Sequence, residues 1–172
     1  MPVDKIEITM ANEGDRELFQ GLLSGLGITR EAGFFERCLE EQKNNFREVF
    51  LARYGGELAG FVVLNWRSQY ALFKRMEIPE IQDLNVLPGM RRNGIATSLI
   101  HHCEAATRGR QSAHIGIAVG LDSSYGAAQR LYVKLGYVPD GNGITYDRQP
   151  VCKGELRPVD DDLCLMMVKA IS

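Results

Sequence analysis

The chain has 172 residues, 45% hydrophobic and 24% charged, which is enough to fill one core, so a single domain over residues 3–172 is expected. Its formal net charge of −2, with no long basic run, excludes a nucleic-acid surface whose affinity rests on neutralising phosphates. No apolar run is long enough to span a bilayer, and Met1-Pro2-Val3-Asp4-Lys5 leads straight into a short strand rather than a signal peptide, so a soluble cytoplasmic protein is expected.

In chain order, Ile6, Ile8 and Met10 alternate with polar residues and predict a half-buried strand. Asn12, with Asp15 three residues on, predicts a capped helix. Its buried face would be Leu18, Phe19, Leu22, Leu23 and Leu26, and Gly27 would end it. A second helix is expected from about Arg30, capped by Thr29 and burying Phe34, Phe35, Cys38 and Leu39. Val49 to Tyr54 and Glu57 to Trp66 read as two strands joined by Gly55-Gly56, a hairpin turn in which both positions tolerate positive φ. Arg67 to Pro79 reads as an irregular connection.

Glu80 to Glu104 organises the rest. It starts as a strand through Ile81, Leu84 and Val86, breaks at Pro88-Gly89, and resumes after Arg91-Arg92-Asn93-Gly94 as a helix. Ile95, Leu99, Cys103 and Ala106 share one face of that helix, and His101, Glu104 and Arg108 fall on another. A helix start exposes unpartnered N–H groups and the positive end of the macrodipole, so a glycine-containing loop there can receive a phosphate. From the physics alone, an anion site and an ordinary surface loop capping a helix are equally good readings.

Further on, His114 to Val119 reads as a strand parallel to the Glu80 strand, since a helix crosses over between them. Ala128, Leu131, Tyr132 and Leu135 follow helical spacing up to Gly136, and Tyr137-Val138 begins another strand. Pro139 to Asp162 reads as loop-rich, before a last strand from Leu163 to Val168. Cys38, Cys103, Cys152 and Cys164 lie far apart without a C-x-x-C, and His101, His102 and His114 lack ligand spacing, so reduced thiols and no metal are expected.

Two segments carry a resemblance. Arg91-Arg92-Asn93-Gly94-Ile95-Ala96 resembles the Gln/Arg-x-x-Gly-x-Gly/Ala motif of the Gcn5-related N-acetyltransferases, and Leu84-Asn85-Val86-Leu87-Pro88 looks like that family's fourth strand. Ala128-Gln129-Arg130-Leu131-Tyr132-Val133-Lys134-Leu135-Gly136-Tyr137 resembles its A-x-x-L-Y-x-x-x-G-F/Y helix and strand. The resemblance implies an α/β (α+β) single-domain fold, a mixed, mostly antiparallel sheet whose parallel fourth and fifth strands splay apart, flanked by helices. Acetyl-coenzyme A would be the cosubstrate, its pyrophosphate on backbone N–H groups of Arg92, Asn93, Gly94, Ile95, Ala96 and Thr97, with charge from Arg91 and its pantetheine arm along Val86. A small-molecule or peptide amine would be the acceptor. Members of the family often form homodimers, but the sequence carries no isolated interface motif, so the oligomeric state stays open.

By alignment to the motif, Tyr132 would be the general acid for the departing thiolate, while its place in an apolar stripe also fits a core tyrosine. The base is open between Asp83 and Glu80, directly or through water, and both also fit structural pairs. The family's asparagine seven residues before the tyrosine is Tyr125 here, so Ser123, Ser124 or the Tyr125 hydroxyl would substitute, or the contact is lost. Between Pro139 and Asp162, six acidic residues outnumber three basic ones, which would favour a cationic amine if that segment faced the acceptor and is otherwise a solvated loop. A longer acyl donor and a non-catalytic cofactor sensor remain the alternative readings.

Overall fold

The computed structural model describes residues 5–172, so residues 1–4, on which the expectation of no signal peptide was partly based, lie outside it. In chain order the elements are β1 (Ile6–Met10), α1 (Arg16–Leu26), α2 (Phe34–Lys43), β2 (Arg47–Tyr54), β3 (Glu57–Asn65) and α3 (Ala71–Met76). There follow β4 (Glu80–Val86), α4 (Ile95–Gly109), β5 (His114–Gly120), α5 (Gly126–Lys134), β6 (Val138–Tyr146), β7 (Gln149–Pro150) and β8 (Leu163–Ala170). This is the expected class, strands and helices in one α/β (α+β) chain. The chain groups into two compact units: residues up to Trp66 with Ile81–Ala105, and Arg67–Glu80 with Ala106–Ser172.

In the first unit β2 lies between β1 and β3 and pairs antiparallel with both. The Gly55-Gly56 turn takes φ of 59° and 87°, the pattern of a type I′ turn, and sets Tyr54 opposite Glu57. Val49, Phe50, Leu51 and Ala52 are all buried, so both faces of β2 are covered. On one face α1 and α2 supply Phe19, Leu22, Phe35, Cys38 and Leu39 to a cluster with Val49, Leu51, Phe61 and Val63. Phe19 is central to it, stacked on Phe35 at 4.8 Å and edge-on to Phe61 at 5.0 Å. Burial of such a ring contributes roughly 1.5–3 kcal/mol.

Asn12 and Asp15 make the predicted reciprocal cap, around a 3-10 turn (Glu13–Asp15) that leads into α1, and Gly27 ends α1 at φ 68°. Two details differ from expectation. Leu18 is 52% exposed, because α1 buries only the narrow stripe that meets the sheet. Thr29 does not cap α2; Gly33, at φ 80°, precedes its first residue, and the stretch before it is a connection.

In the second unit β8 lies between β5 and β6, and β6 also pairs with β7, all antiparallel. The segment expected to be irregular after Arg67 contains α3, six residues long and too short to show a helical period. Phe73 of α3 seats on Gly116 of β5, where an added Cβ would lie 2.1 Å from the ring. Tyr70, Phe73, Ile78 and Met166 form the surrounding core. The segment after Pro139 is less loop-like than expected, since β6 runs to Tyr146 with a break in pairing between Pro139 and Ile144. Among the described residues no helix is long and apolar enough to cross a membrane.

Candidate active site

β4 opens the site in the first unit. Asp83, at mid-strand, has φ 50°, a left-handed conformation that costs a non-glycine residue about 1 kcal/mol and interrupts the strand's alternation. Asn85 Nδ2 donates to the Asp83 carbonyl at 3.1 Å and supports the bend. Gly60 on β3 makes room for it, because a Cβ there would meet the Asn85 carbonyl oxygen at 2.5 Å. The Asp83 carboxylate accepts a hydrogen bond from Arg30 at 2.6 Å. Both side chains are about a third exposed, at 30% and 31%.

The loop that follows is built by its own groups. Leu87 N–H donates to the Ala59 carbonyl, and a 3-10 turn (Pro88–Met90) reverses the chain. Arg91 Nε donates to the Val86 carbonyl at 3.1 Å, and Asn93 Nδ2 donates to the Met90 carbonyl at 3.0 Å. Arg92 and Gly94 take φ of 66° and 80°. The first helical bond of α4 runs from Ser98 N–H to the Gly94 carbonyl at 2.9 Å. The N–H groups of Ile95, Ala96 and Thr97 therefore have no acceptor within the helix. Arg91 to Gly94 are exposed, while Ile95 is buried and anchors the turn from below. The result is an exposed cationic loop at the positive end of a 15-residue helix, a geometry suited to a phosphate group.

Deeper in α4, Leu99 and Cys103 are buried as expected, but so is Glu104, which the sequence placed on another face. His102 packs edge-on against Phe50 at 4.5 Å. All four cysteines are free thiols, and among the described residues no His, Cys, Asp and Glu cluster could hold a metal.

The second unit holds Tyr132, on α5 and 6% exposed. Among the described residues its hydroxyl makes no hydrogen bond, and burial alone pushes its pKa up to about 12. Tyr125 stands at the entry to α5, after a cap made by Asp122 accepting from Ser124 N–H. Its ring covers Gly120, where a Cβ would lie 2.4 Å away, and its hydroxyl donates to Asp161 at 2.7 Å. Gln129 Nε2 reaches back to the Gly120 carbonyl at 2.8 Å and ties α5 to the end of β5.

Glu80 at the start of β4 is fully buried. Arg148 donates to it from Nη2 at 2.7 Å and from Nε at 3.2 Å, and Ser68 Oγ donates at 2.5 Å. Sequence reasoning had no signal for this group, whose members are 12 and 68 residues from Glu80. Arg148 and Asp147 occupy a two-residue turn between β6 and β7 with φ of 61° and 46°. Two acidic residues of this unit are also engaged: Tyr70 donates to Asp140 at 2.6 Å and Tyr146 to Asp160 at 2.8 Å.

A family model described as "Acetyltransferase (GNAT) family" matches residues 16–137. No curated protein matches the chain. Among solved structures, the ribosomal-protein-S18-alanine N-acetyltransferase of Escherichia coli aligns with TM-score 0.66 and 17% identity, covering 98% of this chain and 95% of that one. A spermidine N-acetyltransferase chimera of Vibrio cholerae SpeG and hSSAT aligns with TM-score 0.69 and 16% identity, covering 96% and 95%. A GNAT family acetyltransferase of Elizabethkingia anophelis with acetyl-CoA bound aligns with TM-score 0.65 and 18% identity, covering 97% and 99%. At these identities the likeness is one of fold.

Proposed function

Because the chain belongs to the acetyltransferase (GNAT) family and is an N-acetyltransferase with acetyl-coenzyme A as cosubstrate, we propose that it transfers acetyl by direct attack of a primary amine on the thioester. The observation that carries this reading is the loop from Arg91 to Gly94, whose positive-φ residues open onto the first N–H groups of α4. There the backbone of Arg92, Asn93, Gly94, Ile95, Ala96 and Thr97 would hold the pyrophosphate, with the Arg91 and Arg92 charges beside it. Val86 would supply backbone for the pantetheine arm and an N–H for the tetrahedral oxyanion. We read residues 3–172 as one domain, since the family match runs through segments of both units.

Direct attack needs a neutral amine and a proton for the departing thiolate. Tyr132 is the proposed acid. This rests on its motif; a phenol, here with its pKa pushed up to about 12 by burial, carries its proton at neutral pH. Asp83 is the proposed base in preference to Glu80. Glu80 is sealed and takes two donors from Arg148, whereas Asp83 is partly open and carries a single ion-pair bond. It would draw the amine proton through water, each such proton transfer being worth roughly 10²–10⁴ in rate.

The acceptor class is a primary amine of a small molecule or a peptide. The S18 and spermidine enzymes represent the two chemistries to try first. The test is turnover of acetyl-coenzyme A against spermidine, aminoglycosides, amino acids and peptides with free α-amines or lysines, following thiol release and the acetyl mass increment. An acetylated product names the acceptor class. Silence across the panel with tight acetyl-coenzyme A binding would overturn the amine-acetylation reading.

A further inference from the structure

The proposed base, Asp83, is itself held by an arginine. Arg30 lies in the connection between α1 and α2, 53 residues from Asp83, and its Nη2 meets Asp83 Oδ1 at 2.6 Å. Its guanidinium is fixed from a second side, with Cζ 5.1 Å from the ring centroid of Phe34. Phe34 is itself stacked on Phe19 at 6.3 Å, within the apolar cluster of the first unit. The Arg30 Nε is buried and makes no hydrogen bond among the described residues. Leaving such a donor unpaired is unfavourable. That cost is tolerated in an arginine whose other end is directed at one oxygen of one carboxylate. The nearby Arg47 is committed to Glu41, so among the described residues Arg30 is the cation bonded to Asp83.

We infer that Arg30 is a positioning residue for the transfer reaction: clamped over Phe34, it fixes one oxygen of the Asp83 carboxylate and turns the other toward the amine or its water. The inference rests on the reading of Asp83 as base. The bent backbone at Asp83 gives the side chain a direction that an ordinary strand residue would not have, and the Arg30 bond fixes the last torsion. Arg30 touches neither substrate in this scheme and works only through Asp83. Lysine at this position would keep the charge but lose the planar fork that lies on the Phe34 ring and reaches the carboxylate together.

The experiment is a double-mutant cycle with Arg30→Gln and Asp83→Asn. It is read as kcat and KM with whichever of spermidine and an alanine-leading peptide the wild-type chain acetylates faster. Arg30→Gln is expected to lower kcat about tenfold, with acetyl-coenzyme A affinity and the denaturation midpoint unchanged, because a misaimed carboxylate loses rate rather than cofactor binding. Arg30→Lys is expected to recover part of that loss. In the Asp83→Asn background, Arg30→Gln is expected to cause no further loss. Equal factors in both backgrounds would show that Arg30 does not act through Asp83 and would overturn the inference. So would an unchanged kcat in Arg30→Gln. Undiminished turnover in Asp83→Asn alone would instead remove Asp83 as base, and the role of Arg30 with it, leaving the acetyltransferase assignment intact.

Discussion

Strand β4 carries two carboxylates three residues apart, each paired with a distant arginine, and the two pairs differ in burial and in the number of donors. Glu80 is fully buried, receives two donors from Arg148 and a third from Ser68, and has no access to solvent. Asp83 is partly open, receives one donor from Arg30, and sits on backbone held out of strand conformation. A sealed, multiply bonded carboxylate is held against movement and so serves the fold. The proposed base is the carboxylate that is partly open to solvent and bonded through one oxygen. The same residue chemistry thus divides by burial and by the number of donors.

The largest effect should come from breaking the sealed pair. Arg148→Ala leaves Glu80 buried without its cation and is expected to cost about 3 kcal/mol of stability, seen as a lower midpoint in urea and in thermal unfolding. A loss below about 1 kcal/mol would erase the contrast. Asp83→Asn is expected to behave oppositely, with kcat/KM down about a hundredfold and the unfolding midpoint nearly unchanged. Tyr132→Phe sharpens the comparison by testing a buried group with no ionic partner. Its kcat is expected to fall about tenfold while acetyl-coenzyme A affinity, read by calorimetry, holds.

Tyr132 also has an alkaline signature. Its folded pKa of about 12 exceeds the usual phenol value near 10, so the stability it contributes is full below pH 10 and is lost as pH rises toward 12. Tyr132→Phe should flatten that part of the stability–pH curve. The smallest effect belongs to the acidic segment. Asp160 and Asp161 already accept from Tyr146 and Tyr125, so Asp162→Asn is the cleaner test, with KM for spermidine expected to rise about twofold. An unchanged KM would mark the segment as solvated surface.

What the sequence revealed and what it hid follow from range. The Gly55-Gly56 turn, the Asn12 and Asp15 cap and the start of α4 after Gly94 are local, decided within a few residues, and each was legible. The turn at Asp147-Arg148 has the same φ pattern as Gly55-Gly56 but no glycine, so nothing in its sequence announces it. α3 was invisible because six residues show no period, and its position is fixed by a slot at Gly116 some forty residues on. For the proposed site, the motif pointed to the loop and to Tyr132, but the partners that distinguish Asp83 from Glu80 come from 53 and 68 residues away. Spacing alone cannot show which arginine reaches which carboxylate.

The Asp147-Arg148 turn has one more implication, for anyone seeking a hardier version of this enzyme. A routine stabilising exchange would install Asn-Gly there, relieving two residues from a conformation that disfavours side chains with a Cβ. Here that exchange would remove the cation that neutralises Glu80. A local improvement of the hairpin would therefore weaken the foot of β4, and a library ranked by turn statistics would place a damaging substitution near its top.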